Sequence, residues 1–298
     1  MVSFSPEESE PFRQRKALIA AANANDICAQ SKLGDCYRVG DQFTKQDYVA
    51  AIKWYRLAAQ RGDPGAQNNL GSMYLNGMGV PADAAQAVNW YRLAAEQGLP
   101  TAQFNLALRY LHGSGVEQDD HAAAEWLRKA AVQGHTESIG ELGTLYRFGR
   151  GVEHHIATAA DLHVIAALES DLTAIGNLAD YRREIECEAL RGNLLAALCL
   201  AKMFDRGLGV ERCKVKMLAW LLWGEQQGGR DDNAEVRSEL EDMKRFYSLV
   251  LSASDKVAAE KLFNQMLASV AGDEMNQKLT ADDKPCATHG PLSDGDRK

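Results

Sequence analysis

The chain lacks any cysteine pattern that would build disulfides or a metal site. Its six cysteines stand at irregular intervals with no C-x-x-C pair, and its seven histidines form no H-x-x-x-H pair. On one helix with a rise of ~1.5 Å per residue, Cys28 and Cys36 are about 12 Å apart, too far for a disulfide. We therefore expect free thiols, no metal, no cofactor and a reducing, cytoplasmic location.

Long apolar runs and an excess of basic residues are also missing. A membrane span needs ~18 consecutive apolar residues, whereas the apolar runs of this chain, such as Met217 to Trp223, are far shorter. The N-terminus has no basic region followed by an apolar core, as a secretory signal would. We therefore expect no membrane insertion. The formal net charge of -8, without a basic stripe, argues against nucleic-acid binding.

What the chain does contain is an internal repeat of about 36 residues. Four residue types recur at this interval: Leu70, Leu106 and Leu142; Trp90 and Trp126; Tyr74, Tyr110 and Tyr146; Gly98 and Gly134. Units of this length cannot bury their apolar faces alone, so they stack on their neighbours. The repeat predicts a solenoid.

Each unit is predicted to form two antiparallel helices joined by a glycine turn. Ala66, Leu70 and Tyr74 share one face of the first helix, because residues four apart are neighbours on a helix. Gly77 and Gly79 break that helix and permit a positive φ. Aspartates at one offset are predicted to cap the second helix: Asp47, Asp83 and Asp119. Glycines are predicted to end it: Gly62, Gly98, Gly134 and Gly228. Its repeat-fixed aromatic residues are predicted to be core: Trp54, Tyr55, Trp90, Tyr91 and Trp126.

The repeat consists of three motifs: small-x-x-x-Leu-small-x-x-aromatic, G-x-G-V and W-Y-x-x-A-A-x-x-G. This pattern resembles the Sel-one-like repeat (SLR) family, relatives of tetratricopeptide repeats. The resemblance covers roughly residues 15–230. It implies an all-α, right-handed α/α superhelical solenoid that serves as a scaffold for protein complexes. Some cysteine-rich relatives that bridge each repeat by a disulfide are linked to β-lactam binding. No paired cysteine recurs here, so that activity does not carry over.

The pattern predicts four parts along the chain and one irregular unit within the second of them. They are an N-terminal tail and capping helix (1–28), a solenoid of five full repeats (29–231), a compressed unit within it (174–195), C-terminal capping helices (232–278) and a disordered tail (279–298). The compressed unit is either a short helical pair or one long bent helix, and a local break in curvature is predicted there. The fourth repeat departs from the consensus at three positions: His155 replaces the capping Asp, Leu162 replaces Trp and Ser170 replaces Gly.

We expect partner-binding residues on the first helices, at offsets +3, +6, +7 and +10 from the leading alanine of each repeat, facing a concave surface. One rim position is added to this set, which comprises Lys32, Asp35, Asn69, Ser72, Asn76, Asn105, Arg109, His112, Glu141, Thr144 and Arg147. Amides and mixed charges suit recognition of an extended peptide. The alternative is a face that is merely solvated.

The sequence predicts a non-enzymatic scaffold or adaptor that binds a protein or peptide in the concave groove. No catalytic residue is proposed, since Ser114 in G-S-G-V occupies a variable position of the repeat turn. The alternative is a hydrolase, or an enzyme-modulating protein, with its site near the compressed repeat or the C-terminal region. A third possibility, single-stranded nucleic-acid binding, is disfavoured by the acidic charge. The sequence leaves the oligomeric state open.

Overall fold

The computed structural model describes residues 10–40, 44–227 and 233–271, and all regular secondary structure within these ranges is α-helical. The chain divides into two compact units, residues 1–154 and 155–298. The first contains α1 (Glu10–Asn23), α2 (Ile27–Val39), α3 (Tyr48–Gln60), α4 (Pro64–Asn76), α5 (Ala84–Glu96), α6 (Pro100–His112), α7 (Asp120–Ala131) and α8 (Thr136–Phe148). The second contains α9 (Ile156–Leu168), α10 (Leu172–Asp180), α11 (Arg182–Leu190), α12 (Leu194–Arg206), α13 (Lys214–Gln227), α14 (Ala234–Val250) and α15 (Ala253–Ala271).

In the first unit each helix packs on the next one along the chain, from α1 to α8. The repeat-defining alanines and leucines form the core, and Leu33, Leu70, Leu106 and Leu127 are completely buried. Tyr55 and Tyr91 are also buried. The tryptophans differ from the prediction, because they are only half-buried at the edge of this core: Trp54, Trp90 and Trp126.

Glycine in the first helix lets the second helix come close. A Cβ on Gly71 would lie 2.7 Å from the Tyr91 ring, and one on Gly34 would lie 2.6 Å from the Tyr55 ring. Both separations are shorter than any ordinary contact, so a larger residue requires the ring to move. In the next repeat Ala107 stands in place of Gly71 and Leu127 in place of Tyr91. The larger first-helix residue is thus matched by a smaller second-helix side chain.

The second glycine of each turn is needed for two reasons. Gly79, Gly115 and Gly151 all have positive φ, a conformation that glycine adopts most readily. They also touch the backbone at the start of the preceding repeat's second helix, so that a Cβ on Gly115 would lie 2.2 Å from the Ala84 carbonyl oxygen. These turns therefore join neighbouring repeats as well as neighbouring helices.

The predicted caps are present. Asp47, Asp83 and Asp119 each accept a hydrogen bond at 2.9 Å from a backbone N–H of the helix that follows. His155 does the same in the second unit, because its Nδ1 accepts from the Thr158 N–H at 3.1 Å. The fourth repeat thus keeps a helix cap, although His155 replaces the aspartate of the other repeats. Gly228 lies outside the described residues.

A row of buried glutamines, absent from the predicted core, also joins neighbouring repeats. Each follows the leading alanine of its repeat and donates through Nε2, at 3.1 Å, to a backbone carbonyl of the preceding helix. The pairs are Gln30 with Ala22, Gln67 with Ala59, and Gln103 with Ala95. A buried side-chain amide without a partner is costly, so each of these glutamines favours packing against the preceding helix.

In the second unit the compressed segment is a pair of nine-residue helices, α10 and α11. Tyr181, buried at their junction, hydrogen bonds to His163 of α9 at 2.7 Å. The helices α14 and α15 both pack on α13. They are separated by two non-helical residues, Leu251 and Ser252. Trp223 is buried and its indole N–H donates to the Ala189 carbonyl at 2.7 Å. The predicted tail at 279–298 lies outside the described residues.

Ser170 adopts a conformation that favours glycine. Its φ is 71°, at the repeat position where Gly62, Gly98 and Gly134 have φ of 80–91°. A residue with a side chain is strained at positive φ, so serine at this position of the fourth repeat costs conformational free energy.

We predict that Ser170→Gly stabilises the protein by roughly 0.5–1 kcal/mol, because it relieves that strain. Urea unfolding monitored by circular dichroism measures the change. Ser170→Ala is the matched control and should give no gain, since alanine retains the strain. Equal stabilisation by both variants would contradict the explanation.

We also predict that Gly71→Ala destabilises the protein by about 1–3 kcal/mol through the clash with the Tyr91 ring. Adding Tyr91→Leu recreates the Ala107 and Leu127 pair and should recover part of this loss. A double-mutant cycle measures the coupling, which we expect to be about 0.5–3 kcal/mol. Additive effects of the two substitutions would show that the close contact is unimportant.

Candidate functional site

The eleven sequence-predicted residues all lie on the first helices of the repeats, in the first unit. We call this set the first-helix face; it comprises Lys32 and Asp35 on α2, Asn69, Ser72 and Asn76 on α4, Asn105, Arg109 and His112 on α6, and Glu141, Thr144 and Arg147 on α8. Lys32, Asn76 and His112 are exposed, and the other eight are half-buried.

Hydrogen bonds join this face across α2 and α4. The Asn69 side chain donates to Asp35 Oδ1 at 3.2 Å, and the Tyr55 hydroxyl donates to the same oxygen at 2.6 Å. Arg38, which the prediction omitted, donates through Nε to the Tyr55 hydroxyl at 3.1 Å. Burial raises the pKa of Tyr55, as does its bond to Asp35, while Arg38 opposes the rise.

A second group of contacts lies on α4. Ser72 Oγ and the Tyr91 hydroxyl share a hydrogen bond of 3.0 Å, and the Asn76 side chain donates to the Ser72 carbonyl at 2.8 Å. Burial raises the pKa of Tyr91, whereas the bond to Ser72 and the charge of Arg109 lower it. The rings of Tyr55 and Tyr91 are core residues, yet their hydroxyls belong to the face. The signal for this was in the sequence, because a buried tyrosine hydroxyl needs a polar partner.

The face continues from α4 to α6. Asn105 Nδ2 donates to Asn68 Oδ1 at 2.9 Å, and Asn68 was not among the predicted residues. Arg109 Nη1 contacts Ser114 Oγ at 3.4 Å. On α8, Thr144 donates to the Gly140 carbonyl of its own helix at 3.2 Å, and the Arg147 guanidinium lies 5.0 Å from the Phe148 ring.

At offset +7, where the prediction placed Arg109, three other repeats bury their residue. Met73, Leu145 and Met203 occupy this offset and are completely buried. Seven residues span almost two helical turns of 3.6 residues, so offset +7 falls on the same buried stripe as the leading alanine and the leucine at +4. Arg109 is thus a cation at a position that three other repeats use for their core, while the first repeat has the half-buried Cys36 there.

Next to the compressed segment, where an enzymatic site was the alternative, two side chains able to take part in catalysis are buried. His163 is completely buried, with Nδ1 2.7 Å from the Tyr181 hydroxyl and Nε2 3.2 Å from Asn177 Nδ2. Cys199 is also buried, and burial raises the pKa of its thiol, which keeps it protonated. Among the described residues no cluster of His, Cys, Asp or Glu is suited to bind a metal ion. None of the described helices is both long and apolar enough to span a membrane.

The sequence profile of the Sel1 repeat family matches residues 29–63, 64–99 and 100–135. Residues 29–135 are Sel1 repeats. These three Sel1 repeats correspond to the helix pairs α2–α3, α4–α5 and α6–α7. The resemblance inferred from the sequence is therefore confirmed.

Among the solved structures that resemble the chain are two repeat proteins. A protective antigen present in uropathogenic Escherichia coli strains, displaying an SLR fold, is 29% identical with a TM-score of 0.55. The match covers 85% of this chain but only 56% of the antigen. A Sel1 repeat protein from Oxalobacter formigenes is 27% identical, with a TM-score of 0.50, over 74% of this chain and 88% of that one. No curated protein matches the chain significantly. The predicted all-α solenoid of about 36-residue repeats is confirmed.

We predict that Tyr55→Phe makes the protein less sensitive to alkaline pH. The raised pKa of Tyr55 means that its contribution to stability is fully present below its ordinary pKa of 10.0 and is lost as pH rises above it. The variant should be less stable at neutral pH by about 1 kcal/mol, and its stability should fall less above pH 10. Urea unfolding between pH 7 and 11 measures both effects. Tyr48→Phe is the control, and an unchanged pH profile in Tyr55→Phe would contradict the assignment.

Proposed function

We propose that the protein is a non-enzymatic interaction module whose first-helix face binds a partner protein or peptide. Proteins with Sel1 repeats generally mediate protein–protein interactions. The observation that carries the proposal is that polar side chains from successive repeats are already joined on this face, by Asp35 to Asn69 and by Asn68 to Asn105. Because these contacts fix the side chains beforehand, binding requires little further ordering.

The chemistry of the face suits an extended backbone. An asparagine side chain has two donor hydrogens and an acceptor oxygen, and the bond from Asn105 to Asn68 uses one donor of Asn105. The remaining groups can pair with the alternating N–H and C=O groups of a peptide. Asn76 and His112 are exposed at the C-terminal ends of α4 and α6, where they extend this polar row.

The proposal also includes a protein partner rather than a nucleic acid, and a cytoplasmic location. The net charge of -8 supports the first, since phosphate backbones attract basic surfaces. Free thiols support the second, because Cys28, Cys36, Cys187, Cys199 and Cys213 form no disulfide.

Site-specific photo-crosslinking tests the proposal. We predict that a benzophenone amino acid at Asn76 or His112, introduced in cells, forms adducts with partner proteins. The same group at Lys53 or Asn89 is the matched control, because these residues are exposed on the second helices α3 and α5. Denaturing gels and mass spectrometry identify the adducts. Crosslinks from the control positions alone, or equally from both sets, would overturn the assignment to the first-helix face.

A further inference from the structure

The centre of the first-helix face carries very little charge. Helix α4 contains no Asp, Glu, Lys or Arg, and α6 contains only Arg109. The whole chain has 41 acidic and 33 basic residues, so a region without acidic residues is unusual in it. Arg109 is therefore the one charged residue of α4 and α6, whereas the next first helix, α8, carries Glu137, Glu141 and Arg147.

Arg109 also occupies a position where the fold does not require a charge. Met73 and Met203 fill the same offset in other repeats and are completely buried. Placing a guanidinium there removes part of it from water, which costs free energy unless the charge is compensated. The half-buried Arg109 side chain is thus less favourable for folding than the methionine of other repeats.

The structure does not provide that compensation. Arg109 Nε is buried without a hydrogen-bond partner, and Nη1 has only the 3.4 Å contact with Ser114 Oγ. Among the described residues no carboxylate forms an ion pair with it. By contrast, Arg150 donates to both oxygens of Asp120, at 2.9 and 2.8 Å.

The surroundings of Arg109 favour an incoming anion. Its neighbours Ser72 and Tyr91 are neutral, and the carboxylate of Asp35, on α2, already accepts bonds from Tyr55 and Asn69. A partly desolvated cation attracts a carboxylate more strongly than a fully hydrated one does, because the local dielectric constant is lower. A planar guanidinium also pairs with a carboxylate through two parallel hydrogen bonds.

We propose that Arg109 anchors an acidic side chain, Asp or Glu, of an extended peptide segment in the partner. The asparagines next to it, Asn105 and Asn76, hold the peptide backbone on either side. This inference rests on the proposed function and specifies the chemistry of its partner. A single arginine on a chain of net charge -8 fits one carboxylate better than a polyanion, which requires several basic residues.

Selection from a phage-displayed library of random dodecapeptides on the full chain tests the inference. We expect the selected peptides to be enriched in Asp or Glu. Their affinity, measured by fluorescence anisotropy with synthetic peptides, should fall at least about tenfold in Arg109→Met and less in Arg109→Lys. The melting temperature of Arg109→Met should be unchanged or higher, because other repeats have methionine at this offset. A purely structural arginine would lower it.

Lys53→Met is the matched control, since it removes one exposed positive charge from α3 and should leave affinity unchanged. Three results would overturn the inference: no selected peptides, peptides without acidic enrichment, or an equal loss of affinity in Lys53→Met and Arg109→Met. None of these results affects the crosslinking test. Crosslinks at Asn76 and His112 would then still support the proposed function, with a partner of different chemistry.

Discussion

The structure depends on the close approach of the two helices within each repeat. A small residue in the first helix leaves room for a large side chain from the second, as in Gly34 with Tyr55 and Gly71 with Tyr91. The second glycine of each turn makes a comparable contact with the preceding repeat, where Gly115 meets the backbone at Ala84. Since both contacts recur, the same packing is propagated along the first unit.

This packing also produces the polar face. The rings of Tyr55 and Tyr91 fill the space beside glycine, and their hydroxyls then reach Asp35 and Ser72 on the first helices. A contact that stabilises the core therefore positions polar groups of the face. Arg109 departs from the pattern, because it brings a charge to an offset where Met73, Leu145 and Met203 are buried. Such local departures from a stable pattern are expected where a protein binds something.

Much of the fold could be predicted because the repeat samples the same position several times. The helix pairs, the capping aspartates and the glycine turns followed from that periodicity and elementary helix geometry. The roles of Gln67 and Asn68 were not predicted, since hydrogen bonds between repeats depend on how neighbouring helices are placed. Offset +7 shows a different restriction of sequence reasoning: helical geometry places Met73 and Leu145 in the core, whereas Arg109 at the same offset is half-buried.

Hydrogen–deuterium exchange of the full chain, with and without a partner recovered by crosslinking, tests the central claim most directly. The claim is that repeated residues hold the helices together while variable residues of the first helices bind. It predicts slower exchange in α4 and α6 when the partner is added, with α3 and α5 unchanged. Slower exchange confined to the second helices, or to the unit formed by residues 155–298, would contradict it.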